Sequence, residues 1–280
     1  MSTSSATPSG AAPAPAVVLK QTLPLKDYFS TLAYLSFLLS TTVALLPRST
    51  KYFYPGAVTA QTTSADRPEH PFLTPITANP TASAAWIAAG TGVTVAWLGN
   101  RFGRWVGARG DTLLAVLIAT PLYSGLIHLL GAPGYTWFRT LLTSLTLAFL
   151  TTYVPIYILG FPSLYDEGIA DRYRLTRLFS QWTPETRLET LIVYPAVGAV
   201  IGAWVGAIPM ALDWDRPWQA WPLSVLVGAC AGFVAGGYCG WASCAFKGLK
   251  SDIAAEQRRE AAQANKPKSS GNARRRKPGK

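Results

Sequence analysis

The side chains of this chain that could perform acid–base, nucleophilic or metal chemistry are few and poorly spaced for it. Its 280 residues hold two histidines, His70 and His128, and three cysteines, Cys230, Cys239 and Cys244. Cys239 follows Cys230 by nine positions, which puts them on opposite faces of a helix and rules out a metal site built on that helix alone. No serine stands in a G-x-S-x-G context. Neither the paired histidines of a lipid-phosphate phosphatase nor the aspartate cluster of a phosphatidyl transferase can be assembled. Asp213 and Asp215 supply too few oxygen ligands for a cation unless donors come from elsewhere. Catalytic residues, metal ligands and cofactors are therefore expected to be none. His128, polar inside an apolar stretch, could be functional, or could be a helix-end histidine bonded to a carbonyl.

The elements that must position these groups are membrane helices. Six segments contain no Asp, Glu, Lys or Arg: 28–46, 81–99, 112–130, 140–159, 191–212 and 221–246. Each meets or approaches the roughly 20 apolar residues needed to cross a hydrocarbon core. One charge at mid-membrane costs about 3 kcal/mol on insertion scales. Six charge-free windows in a chain with 25 basic and 14 acidic residues thus predict an all-α, polytopic bundle of about six transmembrane helices. The start of the second span, crowded by Pro75 and Pro80, is the least defined boundary. Asn79-Pro80-Thr81 is not a glycosylation acceptor, because proline blocks the middle position.

The leader, the second and fourth loops and the tail together hold 20 of the 25 Lys and Arg residues. The positive-inside rule then puts both termini in the cytosol. The expected organisation is a flexible cytosolic leader at 1–27, a six-helix membrane domain at 28–246 and a basic, largely disordered cytosolic tail at 247–280. That tail includes Arg274-Arg275-Arg276-Lys277, suited to anionic headgroups. In the fourth loop, Leu175, Leu178, Phe179 and Trp182 recur at helical spacing beside Arg172, Arg174 and Arg177. That pattern suits a helix lying on the membrane surface, or a solvated connector.

The fifth and sixth spans carry the clearest physical signal. Gly198, Gly202 and Gly206 lie on one, and Gly228, Gly232, Gly236 and Gly240 on the other, all four apart. Such stripes permit close backbone approach in lipid, either to each other or to a partner's helix. The joining turn is too short for anything but an antiparallel hairpin. It carries Asp213, Asp215 and Arg216, which could satisfy one another at the membrane edge, and Trp214, Trp218 and Trp221, which suit the headgroup layer.

The stretch from Gly198 to Pro209, the run Leu212-Asp213-Trp214-Asp215-Arg216-Pro217-Trp218-Gln219-Ala220-Trp221-Pro222 and the glycines that follow resemble the signature of the PIG-F family of glycosylphosphatidylinositol (GPI) anchor biosynthesis. Met210-Ala211 departs from the pattern, and Tyr153 to Gly160 adds a weaker likeness. The resemblance implies a multi-pass protein of the endoplasmic reticulum membrane that associates with GPI ethanolamine-phosphate transferase catalytic subunits and stabilises them. Those subunits would carry the metal-dependent phosphoryl transfer, leaving this chain non-catalytic. Membrane lipids are expected as partners and nucleic acid is not. The alternatives are a small lipid or solute transporter or flippase, and an intramembrane enzyme acting on the ethanolamine-phosphate donor. The first lacks a buried charge to couple transport.

Overall fold

The computed structural model describes residues 23–53, 70–102, 108–162, 169–212, 214 and 216–264. Among them there are helices and turns but no strands, and six helical stretches are long and apolar enough to cross a bilayer. The principal helices are α1 (Leu25–Ala44), α2 (Pro80–Phe102), α3 (Ala108–Leu129), α4 (Gly134–Leu159), the short α5 (Ile169–Phe179), α6 (Arg187–Ala207) and α7 (Leu223–Ala264). All except α5 correspond to the six predicted spans.

Helix α6 packs chiefly on α7, α3 on α4, and α1 sits between α2 and α7. The buried centre includes Leu32, Leu35, Ile87, Val95, Leu98, Leu150, Leu191 and Leu226. Leu117, Leu122, Leu126 and Leu129 on α3 and Val200, Ile201, Trp204 and Val205 on α6 point outward. Large apolar side chains on the outside are the expected arrangement where the surroundings are hydrocarbon. Several buried hydroxyls find acceptors on their own helices, Thr91 and Ser224 being exceptions among the described residues. Thr94 donates to Gly90 O, Thr143 to Arg139 O and Ser144 to Thr140 O, all at 2.8 Å.

Local chemistry sets the helix boundaries. The soft start of the second span resolves into Pro80 at the first turn of α2, with Asn79 capping it: its side-chain oxygen accepts from Ala82 N at 3.0 Å. In α4 a π-turn at Phe149–Tyr153 precedes Pro155. It presents Thr151 to the Tyr123 hydroxyl at 2.8 Å, and Tyr153 stacks on Tyr157. The bare backbone of Gly99 admits Tyr157, whose hydroxyl donates to Asn100 Oδ1 at 3.0 Å.

The last helix outruns the charge-free span that ends at Phe246. Helix α7 continues through Ala264, so the first half of the expected tail is helical and exposed. Residues 247–264 are mostly Ala, Glu, Gln, Lys and Arg, with Gly248, Ser251 and Asp252 as the weaker formers. Extending an existing helix through good formers avoids the cost of nucleation. Residues 265–280, with the Arg274–Lys277 run, lie outside the described residues, as does most of the leader.

Candidate functional site

The hairpin of α6 and α7 begins from an ionic anchor. Thr186 and Glu189 form a capping box: Glu189 N donates to Thr186 Oγ1 at 3.1 Å, and Glu189 Oε2 accepts from Thr186 N at 3.3 Å. The other oxygen of Glu189 accepts from Arg177 at 2.7 Å, and Arg177 also meets Glu185 at 2.8 Å. Arg177 and Glu189 are both buried, so each needs the other. This pair fastens α5 to the start of α6, with Leu178 fully buried beside it. The basic, apolar pattern of the fourth loop thus forms a helix docked on the bundle by one turn. Trp182 is not part of that helix. It lies beyond Phe179 at φ 56° and leans on Tyr194, ring centroids 5.2 Å apart.

From that anchor α6 runs against α7 with bare backbone facing bare backbone. A Cβ added at Gly202 would meet the carbonyl oxygen of Gly228 and lie 2.8 Å from Gly232 Cα. One added at Gly198 would meet Gly232 O, one at Gly206 would meet Ser224 O, and one at Gly236 would meet Tyr194 O. Gly228 and Gly232 return the contacts toward Gly202 O and Gly198 O. Approach of this kind allows Cα–H groups to face carbonyls across the helix pair. Gly240 instead lies where a Cβ would meet the Tyr28 hydroxyl, so the end of the stripe admits α1. Ala199 and Ala203, one residue past the first two glycines, are buried toward the rest of the bundle.

The far end of the hairpin is tied by a residue that sequence reasoning did not single out. Gln219 donates through Nε2 to Pro209 O at 2.6 Å and Leu212 O at 2.8 Å, and its Oε1 accepts from Arg216 N at 2.9 Å. Trp214 is exposed and packs near Trp218, centroids 5.9 Å apart. Trp221 turns inward: its indole donates to Thr140 Oγ1 at 3.2 Å and its carbonyl accepts from Arg139 at 3.3 Å. An edge tryptophan looks alike in sequence whether it faces headgroups or a neighbouring helix. Asp213 and Asp215 lie outside the described residues, and Arg216 is placed by its backbone bond to Gln219.

Where the two helices meet, their outer surfaces enclose an open apolar groove of about 860 Å³. Its floor includes Gly198, Gly202, Gly228 and Gly232, and its walls include Ile201, Val205, Val227, Ala231 and Ala235. Trp182 and Trp218 stand toward opposite ends. Between Tyr194 and Gly206 the groove follows about 18 Å of α6 at 1.5 Å per residue, more than half of a hydrocarbon core, and it continues to Pro209 just beyond the helix.

The candidate chemical groups are engaged elsewhere. His128 Nδ1 lies 3.2 Å from Ala132 O, the helix-end carbonyl bond weighed against a functional histidine. His70 Nδ1 accepts from Phe72 N at 3.1 Å. Cys230 and Cys244 are buried and Cys239 is exposed. Among the described residues no group of three His, Cys, Asp or Glu converges on a point that could hold a metal.

Residues 104–241 match the profile of the GPI biosynthesis protein family Pig-F. The chain is 40% identical over 131 residues to glycosylphosphatidylinositol anchor biosynthesis protein 11 of Pyricularia oryzae, covering 46% of this chain and 44% of that one. It is 31% identical over 151 residues to the protein of the same name in Yarrowia lipolytica, 52% of this chain and 61% of the relative. It is 43% identical over 60 residues to the human GPI ethanolamine phosphate transferase, stabilizing subunit, 21% of this chain and 27% of the relative. The matched segments therefore span less than two thirds of these relatives' own lengths. No solved structure matches.

Proposed function

Residues 104–241 match the PIG-F family profile, and on that premise we propose that this chain is a membrane-embedded accessory subunit that stabilises GPI ethanolamine-phosphate transferases of the endoplasmic reticulum. The partner carries the phosphoryl transfer; this chain contributes no catalytic group. Its termini lie in the cytosol and the turn of the α6/α7 hairpin faces the lumen. The name of the human relative, a stabilizing subunit, supports this reading.

The observation that carries it is the apolar groove along the hairpin, because most of it lies in the family-matched region and it is long enough to seat a membrane helix. The glycine stripes serve it indirectly. Their mutual contact holds α6 and α7 close, and the groove is what that contact leaves on the outer face. Helix association in lipid depends on van der Waals fit, so a shallow channel floored by small residues favours a helix over loose lipid tails.

Ala231 and Ala235 are exposed in the groove and lie off the glycine contact. Replacing both with Trp should fill the channel without prying the helices apart. Affinity isolation of the full chain from mild detergent, followed by quantification of the co-purifying transferase, should show a loss of at least about tenfold, in the range of a central interface residue. A folded double variant that still recovers the full amount of transferase refutes the assignment. Isolated free of transferase, the chain should not turn over phosphatidylethanolamine; turnover would make it an enzyme in its own right.

A further inference from the structure

A second concave site lies apart from the hairpin, between the end of α1 and the start of α2. It is a pocket of about 200 Å³ whose lining includes Arg48, Lys51, Thr50, Thr74 and Asn79. At about 30 Å³ per liquid water molecule, that volume has room for a phosphate and the first atoms of its ester. It sits at the same end of the bundle as the α6/α7 turn, where the spans reach the level of headgroups.

The electrostatics of this pocket are one-sided. Among the described residues no carboxylate lies within ion-pair distance of Arg48 or Lys51. The Arg48 guanidinium rests 4.5 Å over the Phe72 ring and donates only a long bond, 3.5 Å, to Phe72 O. Its Nε is buried and donates to no partner among the described residues. A buried charged donor without a partner is costly, and an anion would satisfy it. Thr50 already accepts from the Trp86 indole at 3.1 Å, so its own hydroxyl hydrogen remains to give. Beyond Thr81, Arg139 adds another positive charge at this end of the bundle and donates to Thr81 Oγ1 at 2.8 Å.

We propose that this pocket binds the phosphate of a net-anionic phospholipid headgroup, with Arg48 and Lys51 as its cationic ligands. A zwitterionic headgroup is disfavoured because its ammonium would approach two cations with no described carboxylate to receive it. The site requires only that the spans cross a bilayer, and it stands or falls separately from the transferase reading.

The test uses the full-length protein, purified from nanodiscs of equal phosphatidylglycerol and phosphatidylcholine and weighed intact by native mass spectrometry. The wild type should retain phosphatidylglycerol preferentially. Arg48→Gln/Lys51→Gln should lower that retention at least about tenfold, as expected for losing charged hydrogen bonds. Arg48→Lys should keep most of it, and Lys247→Gln/Lys250→Gln, on exposed α7 beyond the apolar span, should leave it unchanged. Lys51 is exposed, so Lys51→Gln alone remains informative if the double variant fails to fold, and it should lower retention several-fold. Equal retention of the two lipids by the wild type, or undiminished retention by folded Lys51→Gln and double variants, overturns the proposal. So does inorganic phosphate that competes away the lipid and stabilises the wild type to the same degree, since the site would then serve a soluble phosphate.

Discussion

Glu189 is where the loss of a single side chain should be felt most. Its carboxylate is buried and held by Arg177 and by the backbone amides of Glu185 and Thr186. Removing one member of a buried pair leaves the other charge uncompensated, at a cost of about 3 to 5 kcal/mol. Arg177→Ala should therefore lower the thermal midpoint of the detergent-purified protein far more than Arg174→Ala, whose nearest approach to Glu189 is 3.9 Å. Gly160 and Asp171 form a second sensitive point. Gly160 adopts φ +104°, and an added Cβ would come within 2.6 Å of Asp171 Oδ2. Gly160→Ala should destabilise by both strain and contact, read as a drop in the same midpoint.

Burial raises the Asp171 carboxyl above its ordinary value, with Arg174 pulling the other way. A carboxyl shifted upward on folding weakens the fold while charged. Its contribution should therefore improve as pH falls through the raised value toward the ordinary one, and level off below that. Asp171→Asn should remove this component from a profile of thermal midpoint against pH; an identical profile would show that Asp171 does not supply it.

Among the elements, the α6/α7 pair depends on glycine for a reason specific to its geometry. The atoms facing Gly202 and Gly232 belong to backbone, which cannot rotate aside. Either glycine changed to Ala should cost about 1 to 3 kcal/mol through overpacking. Gly248, farther along α7, has nothing within 4 Å of an added Cβ, and Gly248→Ala should be neutral or stabilising by up to about 1 kcal/mol. If urea or thermal unfolding gave these substitutions equal effects, backbone contact would not be what holds the hairpin. The four-residue spacing made a close-packed face readable from sequence. It left open whether that face meets its own neighbour or another protein, because a glycine stripe offers the same surface to both.

For the whole molecule, the decisive feature is the groove, which exists on neither helix alone. Filling Ala231 and Ala235 is expected to separate its role from that of the glycines: the hairpin should persist while transferase recovery falls. The phosphate pocket is likewise a product of assembly, since Arg48 and Asn79 are 31 positions apart and meet only because α1 and α2 are adjacent.

The linear order of residues determined the six apolar spans and the glycine faces, because charge cost in hydrocarbon and helical periodicity act over a few turns of chain. That α7 runs on past the charge-free span to Ala264 is not evident from the charge pattern, because a helix already formed continues through polar residues at no nucleation cost. Only the tertiary structure decided that Trp182 lies beyond its helix at one end of the groove, that Trp221 faces inward, that Gln219 ties the turn, and that Arg48 carries a buried donor without a partner among the described residues. Each of those outcomes depends on which side chains from distant segments arrive at the same place, and on the polar groups that burial then forces to find one another.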